Sequence, residues 1–134
     1  MKSIIHTIVL GTIASLLLAA GASAETRYAV ACIKNETRSY MVFSWRFGEK
    51  TSWRQVSLRP GEERIFSHKF DRVNENMSPR LYVSYDAAAK GKYTENKMLD
   101  VYSSAGNSNC TQARRHVFRN ESGDSNFITL YHIN

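Results

Sequence analysis

Cysteine and proline are scarce in this chain, with two of each in 134 residues. Two cysteines, Cys32 and Cys110, allow one disulfide at most, and no second ligand stands at a suitable spacing for a metal or redox thiol. Beyond residue 24, helical periodicity is nearly absent, and so are repeats, low-complexity tracts and internal linkers. No later apolar run approaches the roughly 20 residues that cross a bilayer as a helix. His68, His116 and His132 show neither H-x-H nor H-x-x-x-H spacing, which excludes a locally encoded zinc or metalloprotease motif. Cys110 and His116 lack the following methionine of a blue-copper loop. There is no G-x-S-x-G elbow, no nucleic-acid motif and no cofactor fingerprint, so the expectation is that no cofactor is held.

What the chain does contain begins with a leader. Lys2 and His6 give a polar, basic start. Residues 8–20, about 13 in all, are apolar apart from Gly11, Thr12 and Ser15, too short a run to span a bilayer. Ala22-Ser23-Ala24 then supplies small side chains two apart, as signal peptidase requires. The pattern predicts a cleaved signal peptide at 1–24 and export to the periplasm or the medium. An uncleaved anchor is the competing reading. The mature segment, 25–134, has 110 residues (134 minus 24), the size of one domain.

Of the 18 Lys and Arg residues, the leader removes only Lys2, leaving 17 against 12 Asp and Glu, a net charge near +5. A moderately basic surface favours an anionic partner, such as a cell-wall polymer, a lipid head group or an acidic protein, although solubility alone also accounts for it. The densest basic cluster is Arg114, Arg115 and His116, with Arg119 nearby. In an oxidising compartment Cys32 and Cys110 are expected to pair, tying the first strand to the start of the C-terminal hairpin. Closing so long a loop stabilises a fold by about 4 kcal/mol in the chain-entropy view.

Period-two alternation dominates the mature chain and predicts strands at 28–34, 39–47, 52–58, 63–70, 80–86, 93–102, 113–120 and 126–133. A four-residue hairpin loop is read at 48–51, and Pro60-Gly61 carries the residues of a type II turn. A single helical turn is conceivable at 87–92, and 71–79 is the longest polar connection. Apolar groups on both faces of 126–133 predict that this strand lies centrally in its sheet. Eight short antiparallel strands point to an all-β domain, an antiparallel β-sandwich or flattened barrel.

Paired around 48–51, the first hairpin sets Arg46 opposite Trp53, close enough for a cation–π contact. Met41, Phe43, Val56 and Leu58 take the other, buried face. Tyr40, Ser44 and Gln55 share the Arg46 face, and Tyr, Trp and Arg are the residue types that carry binding energy. Tyr40, Arg46, Trp53, Arg114 and Arg115 are therefore the candidate binding residues. Coverage of this face by a second sheet or by the C-terminal hairpin, which would make Trp53 a core residue, is the commoner outcome. No catalytic residue and no metal ligand is assigned. Asp71 and Asp86 form a conceivable acid pair, but both flank turns, where Asp is common for backbone reasons. Strands can still gather His68 and His116 in space, though isolated histidines are the rule. The sequons at Asn35, Asn76, Asn109 and Asn120 are read as turn composition.

Asn35-x-Thr37, Trp45-Arg46-x-Gly48, Trp53, Pro60-Gly61 and Ser78-Pro79-x-Leu81-x-Val83-x-Tyr85-Asp86 occur in that order. The pattern resembles a family of small exported bacterial β domains with no assigned activity, and covers 32–119. The resemblance implies placement outside the cytoplasm and a non-catalytic character, and carries over no functional residue. The leading expectation is a secreted or periplasmic binding module. A secreted enzyme inhibitor presenting 71–79, or a small hydrolase using His68 or His116, are the alternatives.

Overall fold

The computed structural model describes residues 27–70, 79–104, 109–111 and 113–133. The predicted signal peptide and nearly all of the 71–79 connection lie outside the described residues. The chain forms β1 (Tyr28–Asn35), β2 (Met41–Phe47), β3 (Arg54–Leu58), β4 (Glu63–Lys69), β5 (Leu81–Asp86), β6 (Thr94–Leu99), β7 (Tyr102–Ser104), β8 (Arg114–Asn120) and β9 (Ile128–Ile133). They make two sheets. One runs β4-β1-β8-β9, with β7 also on β1, and the other runs β3-β2-β5-β6. The molecule is an all-β sandwich.

Alternation builds the core. Met41, Phe43 and Phe47 of β2 and Leu81, Val83 and Tyr85 of β5 turn inward to meet Ala29, Ala31 and Ile33 of β1, Phe66 of β4, and Phe118 and Leu130 of the last hairpin. The Phe43 ring lies 5.1 Å from that of Phe118 and 6.0 Å from that of Phe66, while Tyr85 meets Phe118 edge-on at 5.1 Å. The Tyr85 hydroxyl accepts the Leu130 N–H at 3.3 Å, a polar tether across an otherwise apolar interface.

The disulfide joins Cys32 to Cys110 across 78 positions, as the cysteine count predicted. By alternation Cys32 and Val30 lie on the face of β1 turned away from the second sheet, yet both are fully buried. Below them in the sequence, the Asn35 side chain plugs one end of the sandwich. Its Nδ2 donates to the carbonyls of Ser39 (2.7 Å) and Leu58 (3.0 Å), and its Oδ1 accepts from the Thr37 N–H (2.9 Å) and hydroxyl (2.7 Å). The first sequon is thus a buried structural knot. Gly61 takes φ +83° and the Glu62 N–H donates to the Arg59 carbonyl at 3.0 Å, the turn expected of Pro60-Gly61.

Four expectations need correction. The last strand is not central: among the described residues β9 borders β8 alone and ends its sheet, and its Tyr131 is exposed. The central strand is β1, paired along one edge by β4 and along the other by β7 and β8; Ala29, Ala31 and Ile33 on its inner face lie in the core, and Val30 and the disulfide-bonded Cys32 on its outer face are fully buried as well. Pairing is not wholly antiparallel, since β1 and β8 run parallel; the long connection between them passes through the other sheet, as parallel neighbours need. The predicted strand 93–102 divides, with β6 pairing β5 and β7 crossing to β1. Residues 87–92 form no helical turn. Instead Asp86 Oδ1 accepts the backbone N–H groups of Ala88 (3.0 Å) and Tyr93 (2.8 Å), and Ala88 bridges to Phe127, so backbone groups that a helix would pair internally go to a turn and a cross-sheet bridge.

Candidate aromatic and basic binding face

In the β2–β3 hairpin Trp45 pairs with Arg54 and Ser44 with Gln55. That register extends to Arg46 opposite Trp53, as the sequence predicted. The pairing of β2 with β5 then sets Tyr82 against the other flank of Arg46, and β6 sets Met98 beside Tyr82. One row of side chains crosses the whole sheet, in the order Trp53, Arg46, Tyr82, Met98. The Arg46 guanidinium carbon lies 4.4 Å from the Trp53 ring centroid and 5.7 Å from that of Tyr82.

Among the described residues, no second sheet covers this face. Trp53 is 43% exposed, Met98 49% and Val42 51%. The next row along is small and polar, consisting of Gln55, Ser44, Ser84 and Asn96. The surface is therefore an open strip with aromatic and cationic groups at one end.

Three of the described arginines are ion-paired and Arg46 is not; what sets it apart from the other unpaired ones is a buried Nε. Arg115 pairs with Glu63 at 3.0 Å, Arg119 with Glu36 at 2.6 Å and Arg64 with Glu62 at 2.8 Å. Among the described residues, Arg46 has no carboxylate partner, and its buried Nε has no hydrogen-bond acceptor. Arg80, next to the same row, donates to the Met98 sulfur at 3.4 Å and likewise has no ion pair among the described residues. Glu49 is engaged from below, accepting the Tyr82 hydroxyl at 3.2 Å. Desolvation first, and this hydrogen bond second, hold the Tyr82 phenol above its ordinary range.

The remaining candidates are dispersed. Tyr40, 64% exposed, shares the face by alternation but stands six residues from Arg46, about 20 Å along the strand. It borders an open cleft of about 730 Å³ with Arg38, Val42, Asp86, Ala88 and Ser125. Arg114 and Arg115 are consecutive on β8 and so point to opposite faces; Arg115 is committed to Glu63, and they form no joint patch with Arg46. Tyr82 and Met98 were not singled out from the sequence. Alternation alone turns Tyr82 outward, but its place beside Arg46 depends on a strand pairing between distant segments.

The histidines and Asp86 take other roles. The His68 ring lies 5.6 Å from Phe47 and 6.4 Å from Phe70, in an aromatic stack. His116 sits across β1 from it, registered with Ile33 where His68 is registered with Ala29. Asp86 is held below its ordinary carboxylate range by the N–H groups of Tyr93 and Ala88, which makes it a loop anchor; Asp71 lies outside the described residues. Among the described residues no three His, Cys, Asp or Glu side chains gather as a metal-holding group. No family model matches the chain, and neither the curated proteins nor the solved structures supply a match.

Proposed function

We propose that this protein is an exported, non-catalytic binding module that holds an anionic polymer against the outer face of the β3-β2-β5-β6 sheet. Export is supported by the signal-like leader and by the Cys32–Cys110 disulfide, a bond that persists in oxidising compartments. The observation that carries the reading is Arg46, a cation held between the exposed Trp53 ring and the half-buried Tyr82 ring, with no carboxylate partner among the described residues. Aromatic stacking fixes the guanidinium plane, and a fixed fork of donors recognises carboxylate, sulfate or phosphate groups in two-point fashion. Trp53 and Tyr82 offer ring faces and edges on which sugar rings stack. The short polar side chains beyond them let an extended chain lie flat, and Arg80 adds a second cation within the strip.

Affinity gel electrophoresis tests this, with polygalacturonate and heparin as anionic matrices and dextran as the neutral one. Retardation is expected in the anionic gels alone, and Arg46→Ala should restore free mobility while the far-ultraviolet spectrum stays unchanged. Equal mobility of wild type and variant in every gel refutes the proposal. Stoichiometric retention of a single enzyme from the native medium, with no polymer binding, points to the inhibitor instead.

A further inference from the structure

The last hairpin places two histidines face to face. His116 on β8 and His132 on β9 are direct register partners, so their Cβ atoms are about 4.5–5.5 Å apart. Their ring centroids are 5.2 Å apart and their planes are tilted by 51°, which is not the arrangement of parallel stacking. His116 is 3% exposed, at the end of the core beyond Phe118 and Leu130, whereas His132 opens to solvent. The pair thus has one anchored member and one accessible member.

The tautomer of His116 is set by its neighbour. Nε2 lies 3.2 Å from the Asp100 backbone carbonyl. A carbonyl oxygen only accepts, so Nε2 carries the proton and Nδ1 of the neutral ring keeps a lone pair. Donation of one ring N–H to a backbone carbonyl, leaving the other nitrogen as ligand, is the usual arrangement behind a metal-bound histidine.

The spacing can be compared with what a metal demands. A metal about 2.0–2.1 Å from a ring nitrogen sits about 3.2 Å from the ring centroid, so two imidazoles on one tetrahedral centre hold centroids about 5.2 Å apart. The observed separation is 5.2 Å. We infer that His116 and His132 form a two-imidazole site for a divalent transition metal, with Cu²⁺ bound more tightly than Zn²⁺. Two further positions remain for water or an exogenous ligand. This site is independent of the Arg46 face and uses none of its residues.

The test uses the intact, disulfide-bonded protein after chelator treatment. CuCl₂ is titrated by calorimetry and by electron paramagnetic resonance, followed by ZnCl₂ competition. One equivalent of copper should bind, with hyperfine structure from two imidazole nitrogens, and zinc should displace it only in excess. His132→Ala, at an exposed position where folding is safe, should weaken binding more than about tenfold. His68→Ala should leave it unchanged. Absence of stoichiometric binding, a one-nitrogen spectrum, or equal affinity in His132→Ala and wild type overturns the assignment.

Discussion

Arg46 and Trp53 stand seven positions apart on the two arms of one hairpin, and the guanidinium carbon of the first lies 4.4 Å above the ring of the second. The contact is exposed on one side, and this sets how much each residue contributes to stability as opposed to binding. With 43% of its surface already in water, Trp53 gains little from folding. Trp53→Ala should cost no more than about 1 kcal/mol in urea unfolding. Phe43→Ala, at a fully buried ring between Phe66 and Phe118, should cost about 3–5 kcal/mol. A comparable loss in both variants would show that Trp53 is core and that the proposed face is closed.

Asn35 offers a sharper packing test. Its amide makes two hydrogen bonds as donor and two as acceptor, all inside the end of the sandwich. Asn35→Ala leaves the carbonyl of Leu58 and the N–H of Thr37 buried without these partners, at a cost of about 2–4 kcal/mol. Asn35→Asp keeps the acceptor but cannot donate while ionised, so it should be at least as damaging at neutral pH and recover partly on acidification. Urea midpoints within error of wild type for both variants would remove this role.

The disulfide should dominate global stability. Cys32 and Cys110 close a 78-position separation, and the chain-entropy view assigns such a loop about 4 kcal/mol. For a domain near this size each kcal/mol shifts the melting temperature by several degrees, so reduction should lower it by roughly 15 °C or more. Unchanged melting after reduction, or two reactive thiols in the native protein, would contradict the bond.

Acid sensitivity should appear in two stages. Burial is the main cause holding His116 below its ordinary value of 6.5, with the His132 charge adding to it and the Asp100 carbonyl opposing it. As pH falls below about 6.5 the unfolded chain therefore takes up this proton first. Stability is lost from there downward and levels off once the folded imidazole also protonates. Glu36, held down first by its hydrogen bond from Arg119, then contributes a further loss below its ordinary 4.5. In chelator-treated protein, His116→Gln should abolish the upper stage and keep the lower one. Parallel pH profiles for wild type and variant between pH 7 and 5 would exclude His116 as the source.

Local chemistry was legible before any coordinates. Strand alternation, the loop at 48–51 and the turn at Pro60-Gly61 fixed the Arg46–Trp53 register, because a short hairpin loop and a two-residue period leave one pairing that buries Met41, Phe43, Val56 and Leu58 together. The last hairpin was less legible. A turn closed tightly around 121–125 would set Asn120 opposite Asn126, whereas Phe127 joins the turn, with its N–H donating to Asp124 and its carbonyl accepting from Glu121, and Asn120 meets Ile128. That shift of two is what brings His116 opposite His132.

The amino-acid sequence by itself determined the all-β class, most strand positions, the single disulfide and the faces that alternate inward, since each depends on neighbours a few residues apart or on counting two cysteines. Only the tertiary structure decided which strand lies at the centre, which edges stay open, and that Tyr82 completes the clasp around Arg46. Those outcomes depend on pairings between segments tens of residues apart, and the free energy that selects them comes from packing two whole sheets together. No window of the chain carries it.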